Sequence, residues 1–202
     1  MHFHINMACG KAFDIEMKIL LLLIITHSMR RMRDLIENFM YEVQCYDMIL
    51  DIQINKRGYE MVEIRDAAPE DAAAIAEIST GTLGYSCGED LVRNRLANME
   101  NGRQRVFAAV ENGKVVGFLQ AELYQLLYQK DQINILGLAV RKEFQGKGVG
   151  RLLVQYVQVW AKQMNCDTVR VNSATERYGA HAFYEKMGFI NTKSQKRFVK
   201  TI

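Results

Sequence analysis

The chain has 202 residues, 49% of them apolar, and a formal net charge of +3. That length supports one sizeable core with an appendage, and so mild a charge, with no run of Lys and Arg interleaved with aromatics, argues against a nucleic-acid partner. The four scattered cysteines, Cys9, Cys45, Cys87 and Cys166, include no CxxC pair, which argues against a disulfide framework or a zinc knuckle and points to reduced thiols in a cytoplasmic protein.

The longest apolar run, Ile19 to Ile25, is far short of the roughly 20 residues a membrane span needs. Asp14 and Glu16 precede it, Arg30, Arg31 and Arg33 follow it, and no small-residue cleavage site is evident, so it is not read as an export signal. Leu35, Ile36, Phe39, Met40 and Val43 recur at helical spacing and predict an amphipathic helix from about Ser28 to Leu50. Near Met61 an irregular, Met-rich stretch gives way to regular strand and helix patterns. Residues 1–60 therefore read as an N-terminal extension, either helical or not part of the native product, and residues 61–202 as the working domain. His2 and His4 lie at the terminus and are not read as a metal site; no metal is expected.

From Met61 the pattern predicts a strand over Val62 to Arg65, then a helix opened by Pro69, the only proline, which suits a first helical position. A second helix covers Glu89 to Met99. Val106 to Val110 and Val115 to Leu123 read as strands joined through Asn112-Gly113, a strong hairpin signal. Ile133 to Val140 is almost wholly apolar, as in a central strand covered on both faces. Val149, Leu152, Leu153, Tyr156, Val157, Trp160, Ala161 and Met164 fall at steps of three and four and describe one stripe of a helix. Thr168 to Asn172 then predicts a strand, Tyr178 to Met187 a helix, Gly188 its left-handed stop, and Phe198 to Lys200 part of a closing strand.

Between the apolar strand and the striped helix lies Gln145-Gly146-Lys147-Gly148-Val149-Gly150, followed by Arg151. Alternating glycines at a strand-to-helix junction let successive backbone N–H groups point at one anion. The helix start adds unpaired N–H groups and a positive dipole end, so a pyrophosphate would be held mainly by main chain, with Lys147 and Arg151 supplying charge at the rim. A P-loop needs Ser or Thr where Gly148 stands, and the dinucleotide fingerprint needs a glycine where Arg151 stands. For the glycines alone, an ordinary turn is an equal alternative.

The strand Ile133 to Val140, this turn, and the segment Ala180-His181-Ala182-Phe183-Tyr184-Glu185-Lys186-Met187-Gly188-Phe189 together resemble the GCN5-related N-acetyltransferase family. Gln145, Gly148 and Gly150 match its Q/R-x-x-G-x-G/A motif, and Ala180, Phe183, Tyr184, Gly188 and Phe189 match its A-x-x-F/L-Y-x-x-x-G-F motif. The resemblance covers about Met61 to Lys200. It implies an α/β (α+β) fold in which a mixed, strongly twisted sheet is flanked by helices, with two central parallel strands splayed into a cleft.

The resemblance implies acetyl-CoA as cosubstrate, its pantetheine arm pairing with the main chain of Leu138, Ala139 and Val140 like an added strand, and its pyrophosphate on Gln145, Gly146, Lys147, Gly148, Val149, Gly150 and Arg151. The Leu138 N–H matches the donor to the thioester carbonyl, and Gly137 before it suits a β-bulge that turns this N–H into the cleft. Tyr184 matches the acid that protonates the departing thiolate. The base is open: the family's strand carboxylate falls at Asn134 and Leu136, which take no proton, and Glu122 on the preceding strand is the candidate, acting directly or through water, or else a strand-end charge. Arg177 stands where the family commonly has Asn, to reach a CoA phosphate or as a surface charge. The acceptor, an amine of a small molecule or a protein, would be walled by Thr80 to Asn101 and Leu123 to Gln132, where Tyr85, Glu89, Asp90, Tyr124 and Tyr128 suit a cationic or amphipathic amine. Neither nucleic acid nor membrane is implied, and a homodimer is compatible with this reading. A non-catalytic acyl-CoA sensor or interaction module is the alternative.

Overall fold

The computed structural model describes residues 29, 31, 32, 62–99 and 102–202. The chain divides into two units, Met1–Asp51 and Ile52–Ile202. The apolar run, the boundary at Met61 and the N-terminal helix lie outside the described residues, apart from Met29, Arg31 and Met32, which are helical.

The second unit is built on an open five-stranded sheet in the order β1 (Glu63–Asp66), β2 (Gln104–Glu111), β3 (Lys114–Leu126), β4 (Gln129–Val140) and β5 (Val169–Val171). The first four strands are antiparallel neighbours, and β4 pairs with β5 in parallel. At the β2–β3 turn Asn112 and Gly113 have φ of 51° and 74°, the paired left-handed conformation whose twist matches the strands it joins. β3 and β4 extend beyond their sequence-read ends and meet through Leu127 and Tyr128. The predicted β4 is the fourth strand of five, with strand neighbours on both sides only over Ile133–Ile135.

The predicted closing strand at Phe198 to Lys200 is absent, and residues 189–202 carry no strand. Phe198 and Val199 are exposed: two apolar residues among Lys193, Lys196, Arg197 and Lys200 have local β-propensity, but no strand of the sheet pairs with them, and strand formation depends on such neighbours.

Helices cover both faces. On one, α1 (Ala72–Ile78) and α2 (Glu89–Ala97) bring Ile75, Ile78, Val92 and Leu96 against Val106, Ala108, Phe118 and Ala139. On the other, α3 (Val149–Gln163) lays down its predicted stripe, with Val149, Leu153, Val157 and Trp160 buried against Phe107, Leu119, Ile133 and Ile135. Fully burying each such aliphatic contributes about 1.5–3 kcal/mol. Phe107 anchors this core through edge contacts with Tyr156 at 5.2 Å and Trp160 at 6.2 Å. No helix among the described residues is long and apolar enough to cross a membrane.

Two local devices set the chain's direction around this core. Pro69 opens a 3-10 turn (Pro69–Asp71) ahead of α1. Asp71 accepts there from both Arg65 terminal nitrogens, at 2.7 and 2.9 Å, and from the Ala68 N–H at 2.8 Å. At the other end α4 (Tyr178–Lys186) closes with Gly188 at φ 85°. Gly188 N–H donates to Glu185 O and Phe189 N–H to Tyr184 O, both at 3.0 Å, the paired bonds of a Schellman cap.

Both devices are testable. The hydrogen-bonded Arg65 guanidinium and the Ala68 N–H hold the Asp71 carboxyl below the usual carboxylate value, against the opposing effect of burial. Its contribution is therefore fully present above the unfolded value near pH 4 and is lost as pH falls through the folded value. In urea denaturation Asp71→Asn should cost about 1–3 kcal/mol at pH 7 and close to nothing at about pH 2; a gap independent of pH contradicts the pairing. Gly188→Ala places a side chain at positive φ, costs about 1–2 kcal/mol and lowers Tm by several degrees; an unchanged Tm contradicts the cap.

Candidate functional site

The site forms where β4 parts from β5. Pairing between them stops at Ile135 with Val171, and the pairing of β4 with β3 slips at the same place: Ala121 faces Ile135 while Gln120 faces Gly137, leaving Leu136 as the extra residue of a β-bulge. This is the bulge expected at Gly137. A Cβ on Gly137 would meet only Leu83 Cδ1 at 3.9 Å, so crowding does not explain the glycine.

The bulge decides which way the backbone faces. Ile133 N–H donates to Thr168 O on the β5 side, while Arg141 N–H donates to Val116 O on the β3 side. In an uninterrupted strand two residues an even number apart present their N–H groups to the same edge; the inserted Leu136 reverses the alternation. Beyond it Leu138 and Val140 have their N–H and C=O groups directed away from β3, along the edge β5 has left. Gln145 Nε2 donates to Val140 O at 2.9 Å, as that direction requires.

The predicted phosphate turn follows. Gly146 and Gly148 adopt φ of 75° and 93°, and Gly148 is the N-cap of α3. A short 3-10 turn, Lys142–Phe144, precedes them, and Lys147 Nζ lies 5.0 Å from the centre of the Phe144 ring. Gly150 acts by packing: a Cβ there would stand 3.5 Å from Phe183 and 3.9 Å from Val140 Cγ2, so the end of β4, the start of α3 and α4 meet at this point. Lys147, Arg151 and Arg177 are exposed, and none is ion-paired among the described residues. Arg141 is engaged instead with Glu77 through two bonds of 2.8 and 2.7 Å.

Tyr184 follows Phe183 on α4, half-buried between the rings of Phe183 at 5.2 Å and Phe189 at 5.4 Å. Burial pushes its phenol above the ordinary value, and the nearby charge of Arg177 partly offsets this. The G-F of its motif thus has a structural cause: Gly188 and Phe189 build the cap that holds Tyr184 at the end of the helix. His181 Nε2 contacts Ala174 O at 3.0 Å and fixes the preceding loop.

Glu122 lies on the sheet face that also carries α1. It sits across from Asn134, whose Nδ2 donates to Glu122 Oε1 at 3.0 Å; Asn134 Oδ1 is buried without a partner among the described residues. The position lacking a carboxylate therefore holds the side chain that steadies one. A π-helical turn, Ser79–Leu83, packs on this face of β4, with Thr82 Oγ1 3.5 Å from Val140 O. Sequence reasoning missed this turn, whose i→i+5 bonds leave no periodic signature. Of the predicted acceptor walls, Tyr85 and Tyr128 are exposed, Glu89 pairs with Arg93 on α2, and Tyr124 is stacked under Arg170.

Known proteins resemble this chain in sequence and in fold. The sequence profile of the acetyltransferase (GNAT) family matches residues 72–189, more than half the chain. The chain is 31% identical over 135 residues to an aminoglycoside N(6')-acetyltransferase type 1 of Stenotrophomonas maltophilia, covering 64% of this chain and 87% of that protein. It is 27% identical over 145 residues to an aminoalkylphosphonate N-acetyltransferase of Salmonella typhimurium, covering 69% and 91%. Among solved structures, AAC(6')-Iy in complex with the bisubstrate analogue CoA-S-monomethyl-acetylneamine superposes with TM-score 0.62 at 16% identity, covering 70% of this chain and 99% of that one, a likeness of fold. The chain belongs to the acetyltransferase (GNAT) family and is an acetyl-CoA-dependent N-acetyltransferase.

Proposed function

We propose that the protein transfers the acetyl group of acetyl-CoA to a primary amine of a small molecule by direct attack, in the cytoplasm. The observation that carries this reading is the outward-facing backbone of Leu138 and Val140 beside a glycine turn with two residues at positive φ. Acetyl-CoA supplies an activated acetyl group on a thioester. Leu138 N–H is the donor for the charge that develops on the carbonyl oxygen, Val140 pairs with the pantetheine arm, and the N–H groups of residues 146–150 hold the pyrophosphate. Lys147, Arg151 and Arg177, free of carboxylate partners among the described residues, supply positive charge around it.

Tyr184 is the acid. Burial favours its protonated form, so the proton remains available at neutral and mildly alkaline pH and moves to the CoA sulfur as the carbon–sulfur bond breaks. Glu122, steadied by Asn134 four positions along the sheet from Leu138, is the base that accepts the amine proton through water. The small-amine acceptor is supported by the relatives, whose names describe transfer to aminoglycosides and aminoalkylphosphonates.

A thiol-release assay over a panel of amines tests both roles. Tyr184→Phe should lower kcat by roughly 10- to 1,000-fold with little change in KM, and wild-type kcat should hold its acid-competent plateau past pH 9; full activity in the variant would remove Tyr184 from the mechanism. CoA binding without turnover of any amine would favour a sensor. Asn134→Leu removes the donor to the Glu122 carboxylate and should lower kcat at neutral pH; unchanged kcat would separate the Asn134–Glu122 pair from catalysis.

A further inference from the structure

Helices α1 and α2 pack over the part of their sheet face that carries Val106, Ala108, Phe118 and Ala139. Farther along the same face the strands carry a polar group: Asn134 stands across from Glu122 on β3 and across from Arg170 on β5. Residues opposite one another on paired strands share a face, and the reverse face at this level is apolar, with Leu123, Ile133, Val169 and Val171 packed toward the α3 core. Glu122 and Arg170 therefore flank Asn134 on one surface, yet they form no ion pair with each other.

Arg170 is held by two neutral contacts. Its guanidinium carbon lies 4.6 Å from the centre of the Tyr124 ring, and one terminal nitrogen donates to Asn172 Oδ1 at 3.1 Å. It is half-buried and joins no ion pair among the described residues. Stacking on a ring occupies the guanidinium's face and leaves the in-plane N–H donors not given to Asn172 for a carboxylate or phosphate, which such a fork binds well.

We infer that Arg170 is an anion subsite of the acceptor groove, and that the preferred acceptor is a small amine carrying a carboxylate, phosphonate or phosphate at its far end. This rests on the acetyl-transfer reading and names the acceptor class within it. The register sets the length: Arg170 is level with Asn134, four positions along β4 from Leu138, about 10–13 Å at the rise of a strand. An amine delivered to the Leu138 end with its anion at Arg170 must therefore be separated from it by several bonds, which disfavours an α-amino group beside its own carboxylate. A second ammonium at that end would meet the guanidinium and be repelled.

The matched pair 6-aminohexanoate and hexylamine tests this, since they share the amine and chain and differ at the far end. Wild-type kcat/KM should favour 6-aminohexanoate by about tenfold or more, and Arg170→Met should bring the ratio to near one, with Arg170→Lys restoring part of it. A wild-type ratio near one, or a ratio unchanged in Arg170→Met, overturns the subsite. Calorimetric binding of 6-aminohexanoate to the CoA-bound protein gives a readout without turnover: about tenfold weaker binding by Arg170→Met supports the subsite, and equal affinity overturns it. Failure to acetylate either amine counts against the transfer reading, while this binding comparison still decides the subsite.

Discussion

One extra residue in β4 governs the cleft. Leu136 has no partner on β3, and by reversing the alternation of the strand it turns Leu138 and Val140 from the β3 edge to the open one. Without that reversal Leu138 would exchange hydrogen bonds with β3, and the open edge would present Ala139 instead. The short β5, which pairs over only three residue positions, completes the constraint by leaving that edge uncovered. An unpaired strand edge ordinarily invites unwanted pairing; in the proposed reading it is the surface to which an extended pantetheine chain is added as a strand.

The glycines around this edge do two different things. Gly146, Gly148 and Gly188 occupy positive φ, where other residues are strained, whereas Gly150 permits close approach of Phe183 and Val140. Through that contact the anion turn and the helix bearing Tyr184 are held to the same strand end. The two sequence motifs are thus parts of one packed junction: the first curls and starts α3, the second ends α4 with a cap whose Phe189 also packs on Tyr184. Preorganisation of this sort is what a donor and an acid need if they are to act on charge as it develops.

Much of this was legible because the signals were local. Asn112-Gly113 specified its hairpin, the steps of three and four from Val149 specified α3, and Gly188 specified the end of α4. What was not legible depended on partners distant in sequence. The β3–β4 turn at Leu127–Tyr128 contains none of the residues that usually mark one, so the strand patterns read from sequence stop at Leu123 and resume only at Ile133. Phe198 to Lys200 has strand-like residues but no strand beside it. Gly137 announced a bulge, while the identity of the extra residue emerged only from the pairing with β3. Asn134 was read as a missing carboxylate, and its hydrogen bond to Glu122 became visible only when two strands were set side by side; the stacking of Arg170 on Tyr124 likewise joins residues far apart in the chain.

The central claim is that the reversed edge of β4 receives acetyl-CoA, and a crystal structure with a non-hydrolysable acetyl-CoA analogue tests it most directly. The account predicts the acyl carbonyl oxygen about 2.7–3.1 Å from Leu138 N, the pantetheine arm paired with Val140, and the pyrophosphate against the N–H groups of residues 146–150. An analogue bound elsewhere, or a Leu138 N–H bonded to β3, would contradict it.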